Sequence, residues 1–542
     1  MLTPEFLAGC SDDIVEIWAD TEVEILSDIA RRIAKNGYIT DTAAWQIEKA
    51  RQLGVLNGDV AKALEKAYGK STKEVDHLFL EAAKIAMEAD NEIFLAAGIE
   101  AALLEFTPAQ RAILLQGTKT TKMLLESYTH TTAKASELAF RNAADKAYLG
   151  IMSGAFDTTT AIRRSINELA KGNIESVAYP SGANHSMEAA TRRAIVTGCN
   201  QSVAKLQLAR AEDLGCELVE VSSHAGARPS HAEWQGDVYC ISGKSGKYKD
   251  FYQETGYGDG DGLCGWNCYH NFWPYFEGLS RRAFSKDPSA DAGRSNAEDY
   301  ENSQKQRAME RAVREAKKEC TVLDKAIKAS DNSELSEQLN RDFQRASVKL
   351  KSREAKLSEF IDKTGRTRLR EREQSPKFGH SVSSKAVWTN KKEKEFRQIL
   401  EIAGKSGTIE LSQSMENYIA NKPFSDIQGL VGKLSDKAAR KWYIANDAKI
   451  AASIEKSLSL EAQARIAHER RNANRTAARD LMADQEKRKL LDINEPNKTF
   501  EELLQHKMND KHLTHEEALQ DIIATASKTR STINTSLGLG DN

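Results

Sequence analysis

The sequence predicts a mainly α protein with a helical N-terminal region, a small α+β core domain, a long helical hairpin and a helical C-terminal module. Three observations carry that prediction. Apolar residues recur at helical spacing from the start of the chain to about Gly215. One polar, glycine-rich block, residues 222–278, interrupts the pattern and cannot itself be a long helix. After Asp287-Pro288 the chain becomes highly charged, with sparse apolar positions.

Residues 1–150 read as the helical N-terminal region. Ile14, Ile17, Trp18, Val23, Ile25 and Ile29 mark its first amphipathic helix, which Asn36-Gly37-Tyr38 ends with a residue able to take positive φ. Thr40-Asp41-Thr42 starts the next helix, expected to end near Gly54. Further helices are expected at about 59–68, 72–96, 108–127 and 130–150. Thr107-Pro108 is a helix start with proline in the first turn.

Residues 151–285 read as the α+β core. Its helices break at Gly172-Asn173 and at Tyr179-Pro180-Ser181-Gly182, and a long helix follows at about 185–213. Cys216-Glu217-Leu218-Val219-Glu220-Val221 alternates and is β-branched, which makes it the best strand in the chain. Residues 238–276 are expected as short strands and turns. The run Gly256-Tyr257-Gly258-Asp259-Gly260-Asp261-Gly262 suits only tight turns and close backbone approach.

Residues 298–375 read as a helical hairpin or coiled coil, with helices over 298–329 and 334–373 and Ser333 capping the second. Met309, Val313 and Leu323 are too sparse to bury this pair on itself, so it is expected to pack on something else. Residues 380–542 read as a last helical module. Lys433-Leu434-Ser435-Asp436 opens one of its helices, a second runs from Leu460 to about Leu491, and Thr514-His515-Glu516-Glu517 opens a third.

The net charge of −2 hides an asymmetry. Residues 1–300 carry 31 Lys and Arg against 42 Asp and Glu, whereas residues 301–542 carry 46 against 37. An acidic front and a basic back imply different neighbours, and the basic half suits a place near nucleic acid. No apolar run approaches the roughly 20 residues needed to span a bilayer, and no basic-then-apolar leader opens the chain. Seven cysteines in a chain of 542 residues do not read as a secreted disulfide framework, so assembly in a reducing cytoplasm is expected.

The block at 222–278 concentrates the unusual residues: three of the seven cysteines, three of the eleven histidines and three of the seven tryptophans. His224, His231, Cys264, Cys268 and His270 are soft or borderline ligands, and four of them suffice to surround a Zn²⁺ ion. A nucleophilic reading makes Cys264 or Cys268 a thiolate beside a histidine. A phosphodiester reading makes His224 and His231 base and acid, with Arg228 holding the phosphate. The reading the residues favour is a polar and aromatic fold core needing no cofactor. There Arg228 satisfies backbone carbonyls, and Trp234 and Trp266 supply buried area beside Gln235 and Asn267. Farther on, Arg471, Arg475 and Arg479 recur every four residues and share a helix face suited to phosphates. Acidic neighbours such as Glu461 and Glu469 offer intramolecular pairing instead.

Both ends of the block resemble the core signature of the phage minor capsid protein 2 family, related to Mu-type F-protein head morphogenesis proteins. His224-Ala225-Gly226-Ala227-Arg228 with His231, Trp234, Gln235 and Gly236 resembles one run. Gly262-Leu263-Cys264-Gly265-Trp266-Asn267-Cys268 with His270 resembles the other. Leu2-Thr3-Pro4, Ser153-Gly154-Ala155, Ala161-Ile162-Arg163, Tyr179-Pro180-Ser181-Gly182, Arg192-Arg193-Ala194 and Thr197-Gly198 with Asn200-Gln201 agree. The position between Cys268 and His270, often Arg in the family, is Tyr269 here, so no role needing a cation is expected of it. The resemblance covers roughly residues 1–285. It implies a structural, non-enzymatic minor capsid protein of a tailed bacteriophage, active in head morphogenesis and held in the capsid interior. Its partners would be the portal or the major capsid protein, with packaged DNA near its back half. The competing reading is an enzyme or toxin cargo carried in the head, nuclease-like, with activity in 380–542 or at the His/Cys cluster.

Overall fold

The computed structural model describes residues 2–36, 42–99, 106–174, 177–178, 184–403, 411–420, 422, 427, 430, 460–481 and 497–536. It divides into two compact units, Met1–Asn390 and Lys391–Asn542. The expected turn at Gly37-Tyr38, the break at 179–182, the helix start at 433–436 and the helix end near Leu491 lie outside the described residues.

The first unit is a bundle of long helices. Helix α1 (Pro4–Gly9) is capped by Thr3, whose hydroxyl accepts from Phe6 N at 3.2 Å. Helix α2 (Asp12–Asn36) buries Ile14, Trp18, Val23, Ile25 and Ile29, as their spacing predicts. Helix α3 (Thr42–Ala96) then runs unbroken for 55 residues, and α4 (Pro108–Met152) for 45. The shorter helices expected from the sequence are therefore fused. Gly54 does not end a helix because an interior glycine costs only about 1 kcal/mol relative to alanine. Leu56, Val60, Leu64, Val75 and Phe79 continue one buried stripe past it. The start of α4 is as expected: Thr107 and Gln110 form a reciprocal capping box at 3.0 and 3.3 Å.

Helix α5 (Thr158–Lys171) ends at Gly172, and α6 (Met187–Asp213) passes through the middle of the unit. Helix α6 buries Ala190, Ala194, Ile195, Val196, Ser202 and Ala204, side chains that point in nearly every direction. It packs on α2, α3 and α4. Two glycines allow the approach to α4. A Cβ on Gly198 would lie 2.2 Å from Thr121 Oγ1, and one on Gly117 would lie 1.9 Å from Ser202 Oγ.

The expected strand forms as β3 (Leu218–Val221), after a short antiparallel pair β1 (Val177–Ala178) and β2 (Asn184–His185). It is the middle of a three-stranded antiparallel sheet, flanked by β4 (Val238–Cys240) and β5 (Phe272–Pro274). Short helices α7 (Pro229–Ala232) and α8 (Phe251–Thr255) interrupt the loops. Val219, Val221, Trp234, Tyr239, Phe251 and Phe272 form the core beneath, against Ala204 of α6. Gln207 of α6 binds strand and bundle at once. Its Nε2 donates to Phe272 O at 2.8 Å and to both Asp90 oxygens at 3.2 Å. Burial pushes the Asp90 carboxyl up to about 7.

After α9 (Pro288–Asp291) comes the hairpin, α10 (Asn296–Ala329) and α11 (Ser333–Thr364). The cap of α11 is Asn332 rather than Ser333, because Asn332 Oδ1 accepts from Leu335 N at 2.8 Å. The helix stops at Thr364, short of the expected 373, where Gly365 takes φ +65°. The hairpin packs on α2 and α5 of its own chain. Arg163 of α5 forks onto Asp342 of α11 at 2.6 and 2.8 Å. Glu22 of α2 accepts from Ile174 N at 2.8 Å and faces Lys318 of α10 at 3.8 Å, with both side chains buried. Helix α12 (His380–Ala403) carries the division between the units.

The second unit contains α13 (Gln413–Ala420), α14 (Leu460–Leu481), α15 (Phe500–Asp510) and α16 (His515–Ser536). Phe500, Leu503, Leu519 and Ile522 bury against Ala464. Thr514 and Glu517 cap α16 reciprocally at 2.9 and 3.3 Å, at the expected start. The architecture is mainly α, as predicted.

Two expectations follow. Gly198→Val is expected to lower the stability of the full chain by about 1–3 kcal/mol through overpacking. Gly54→Ala, where an added Cβ meets nothing within 4 Å, should raise it by about 0.5–1 kcal/mol. Urea melts of both variants check this, and a destabilised Gly54→Ala would contradict the continuous α3. The second concerns pH. Because the folded pKa of Asp90 is raised to about 7, its stabilising protonated form is lost as pH rises through that value. Asp90→Asn removes that loss, so its melting-temperature advantage over the native chain should be larger at about pH 8 than at about pH 5. An advantage that does not change with pH would show that Asp90 ionises normally.

Candidate functional site

The glycine-rich block folds as loops held between the sheet and the middle of α6. Ser222 begins it. Its N donates to Asn271 O at 2.8 Å, and its hydroxyl accepts from Asn271 N at 3.0 Å, which ties the two ends of the block together. Asn200 on α6 donates to Cys268 O at 3.1 Å and His270 O at 2.9 Å, and accepts from Asn271 Nδ2 at 2.8 Å. The turn before them needs unusual backbone. Cys264 and Asn267 are left-handed, with φ of 59° and 51°. A Cβ on Gly265 would lie 2.4 Å from Gly260 O. In the other half, Gly226 and Gly236 take φ of +68° and +64°. A Cβ on Gly236 would meet Ser285 O at 2.2 Å. Pro229 starts α7, which carries His231, and Arg228 Nη2 donates to Trp266 O at 2.6 Å.

Three of the five candidate ligands converge. His231 Nδ1 lies 3.4 Å from His270 Nδ1, and Cys268 Sγ lies 3.8 and 3.6 Å from those two atoms. All three residues are at most 2% exposed. The outer ring nitrogens are also engaged: His231 Nε2 is 2.8 Å from Asp261 O, and His270 Nε2 is 3.0 Å from Gln235 Oε1. Gln235 Oε1 accepts in addition from His224 N at 3.1 Å, which fixes it as oxygen. Trp234 closes one side, 4.6 Å from the His231 ring and 5.0 Å from that of His270.

The other two candidates lie just outside. His224 stacks on His270 at 4.5 Å, with its Nδ1 3.1 Å from Ala225 O. Cys264 Sγ approaches His270 O at 3.6 Å. Burial pulls His231 down to about 4 and His270 well below its usual value. It pushes Cys268 up to about 11 and Cys264 well above the ordinary thiol. A catalytic cysteine needs the opposite, a lowered pKa and access. Trp266, expected in the buried core, is 52% exposed and lies beneath the Arg193 guanidinium at 4.8 Å.

The proposed phosphate stripe is not presented as one exposed face. Arg475 is buried within the second unit and Arg471 is half-buried, while the Arg479 side chain lies outside the described residues. On the same helix, Arg465 pairs with Glu461 at 3.2 Å and Glu501 at 2.7 Å. Asn200 and Asp261 carry the site with no role assigned from sequence. The signal for Asn200 was a polar residue inside an otherwise buried helix. Asp261 contributes only its backbone carbonyl, which no side-chain pattern reveals.

Comparison with known proteins places this architecture. Residues 2–362 match the family described as Phage minor capsid protein 2. A "Structural protein" of Lactococcus phage LL-H is 25% identical over 261 residues, spanning 44% of this chain and 67% of that one. No solved structure matches. The family match runs past the motif-bearing half into the hairpin, taking in α10 and nearly all of α11. Among the described residues, no helix is long and apolar enough to cross a membrane. This chain belongs to the phage minor capsid protein 2 family and is a structural protein of a bacteriophage head.

Proposed function

We propose that this chain docks inside the phage head, against the portal or the inner face of the capsid, and acts in head morphogenesis by protein–protein contact rather than turnover. The observation that carries this reading is a set of exposed apolar side chains on one side of α4. Met123, Leu124, Leu138, Leu149 and Met152 are 58, 43, 56, 64 and 51% exposed. At 3.6 residues per turn they fall within about 100° of one another around the helix. Exposed Ser127, Thr131, Lys134, Arg141 and Asn142 share that arc, so the five side chains offer separate apolar contact points to a partner rather than one continuous patch. Beside them, α4 and α6 flank a groove of about 980 Å³ that Leu124, Tyr128, Thr197 and Trp266 help to line.

The His/Cys loops support a non-enzymatic role, because their thiols are buried and their histidines are held neutral. In this reading the sheet and loops form a rigid platform, and the helical bundle presents the docking face. The basic balance beyond residue 300 suits a position toward the lumen and packaged DNA.

The test is chemical crosslinking in intact, DNA-filled heads. The chain should crosslink to portal or capsid. The double variant Leu138→Glu, Leu149→Glu should melt like the native chain yet enter particles at least about tenfold less. Absence of the native chain from particles, or undiminished entry of the double variant, would overturn the assignment.

A further inference from the structure

We propose that His231, Cys268 and His270 form a structural Zn²⁺ site that staples the glycine-rich loops to α7. The argument begins with protons. Asp261 O is a carbonyl and accepts only, so His231 Nε2 must carry the hydrogen between them. Gln235 Oε1 already accepts from a backbone N–H, so His270 Nε2 must be a donor as well. In a neutral imidazole, the other nitrogen then presents a lone pair. Two Nδ1 lone pairs therefore face each other at 3.4 Å in a buried pocket. The Cys268 thiol has one proton and can satisfy only one of them. Protonating a ring instead would place an uncompensated charge among side chains that are at most 2% exposed. A cation other than a proton resolves the conflict.

The distances identify the size of the ion. With Zn–N of about 2.0–2.1 Å and Zn–S of about 2.3 Å, tetrahedral ligands lie about 3.4 Å apart for N···N and about 3.6 Å for N···S. The observed separations are 3.4 Å for N···N, and 3.6 and 3.8 Å for N···S. Both histidines are oriented by acceptors on their far nitrogens, the outer-shell arrangement typical of metal-bound imidazole. Two nitrogens and one sulfur suit a borderline ion such as Zn²⁺ rather than Ca²⁺ or Mg²⁺. On binding, the Cys268 S–H bond breaks, the thiolate becomes the ligand, and the proton leaves to solvent. Three protein ligands leave one further coordination position.

The test uses the full chain, purified from cells supplied with zinc. Elemental analysis should find about one zinc per chain. Cys268→Ser and His270→Gln should reduce this at least about tenfold, whereas Cys320→Ser, a buried thiol on α10, should leave it unchanged. Because a ligand variant can fail to fold, a second measurement uses the native sequence alone. Co²⁺ added to metal-stripped protein should produce a thiolate-to-cobalt charge-transfer band together with tetrahedral visible absorption. Native protein that neither retains zinc nor gives that band, or a Cys268→Ser variant that keeps full zinc, would overturn the site.

Discussion

A fully buried asparagine has several hydrogen-bonding groups and no solvent to satisfy them, so its surroundings must be built to match. Asn200 meets that demand with two carbonyls and one side-chain amide, all from residues 268–271. Those residues carry Cys268 and His270 and run directly into β5. One side chain on α6 thus sets where the loop lies, how the last strand enters the sheet, and where two of the three convergent ligand atoms point. Leaving its partners unsatisfied would cost on the order of 1–3 kcal/mol for each buried group. Gln207, further along the same helix, repeats the device by holding Phe272 O and Asp90 together. The bundle and the sheet are therefore joined by amides from a single buried helix as well as by apolar contact.

The hairpin follows a different rule. Its helices are charged and poor in large apolar residues, yet they are integral to the first unit. Ion pairs specify where it sits beside the apolar contacts of Val322, Leu323, Leu339 and Phe343 in the shared core: Asp342 receives the Arg163 fork, and Lys318 faces Glu22. Such pairs add little net stability, because desolvation offsets much of the attraction. Breaking one is costly, however, so they specify a single docking arrangement among several that a featureless helical pair would tolerate.

What was legible in the sequence was mostly local chemistry. The Thr107-Pro108 start, the strand at Leu218–Val221 and the long helix before it each follow from a few adjacent residues whose preferences agree. What failed was local preference set against tertiary packing. Gly54 looked like an end because glycine disfavours helix, but the buried stripe of α3 extends well beyond it and outweighs that penalty. Ser333 and Asn332 are both good caps, and only the path of the chain selects Asn332. Trp266 looked like core because tryptophan is large and apolar, whereas here it lies half in solvent beneath a guanidinium.

The His/Cys cluster divides in the same way. The ligand types were evident, and so was their crowding into one block. The choice of three among five was not, because it depends on backbone that spacing does not encode. Cys264 and Cys268 look like a natural pair at a four-residue interval, but Cys264 sits at a left-handed position in a turn packed against Gly260, and its sulfur approaches a carbonyl. His231 arrives from another segment altogether, on a single turn of helix begun by a proline. A block with so little strand has few ladder hydrogen bonds to hold it. Its order therefore rests on glycines that permit close approach, on amides from α6, and on whatever occupies the space between two facing imidazole lone pairs. A structural protein of a phage head has to keep its shape, and those three devices supply rigidity where regular secondary structure does not.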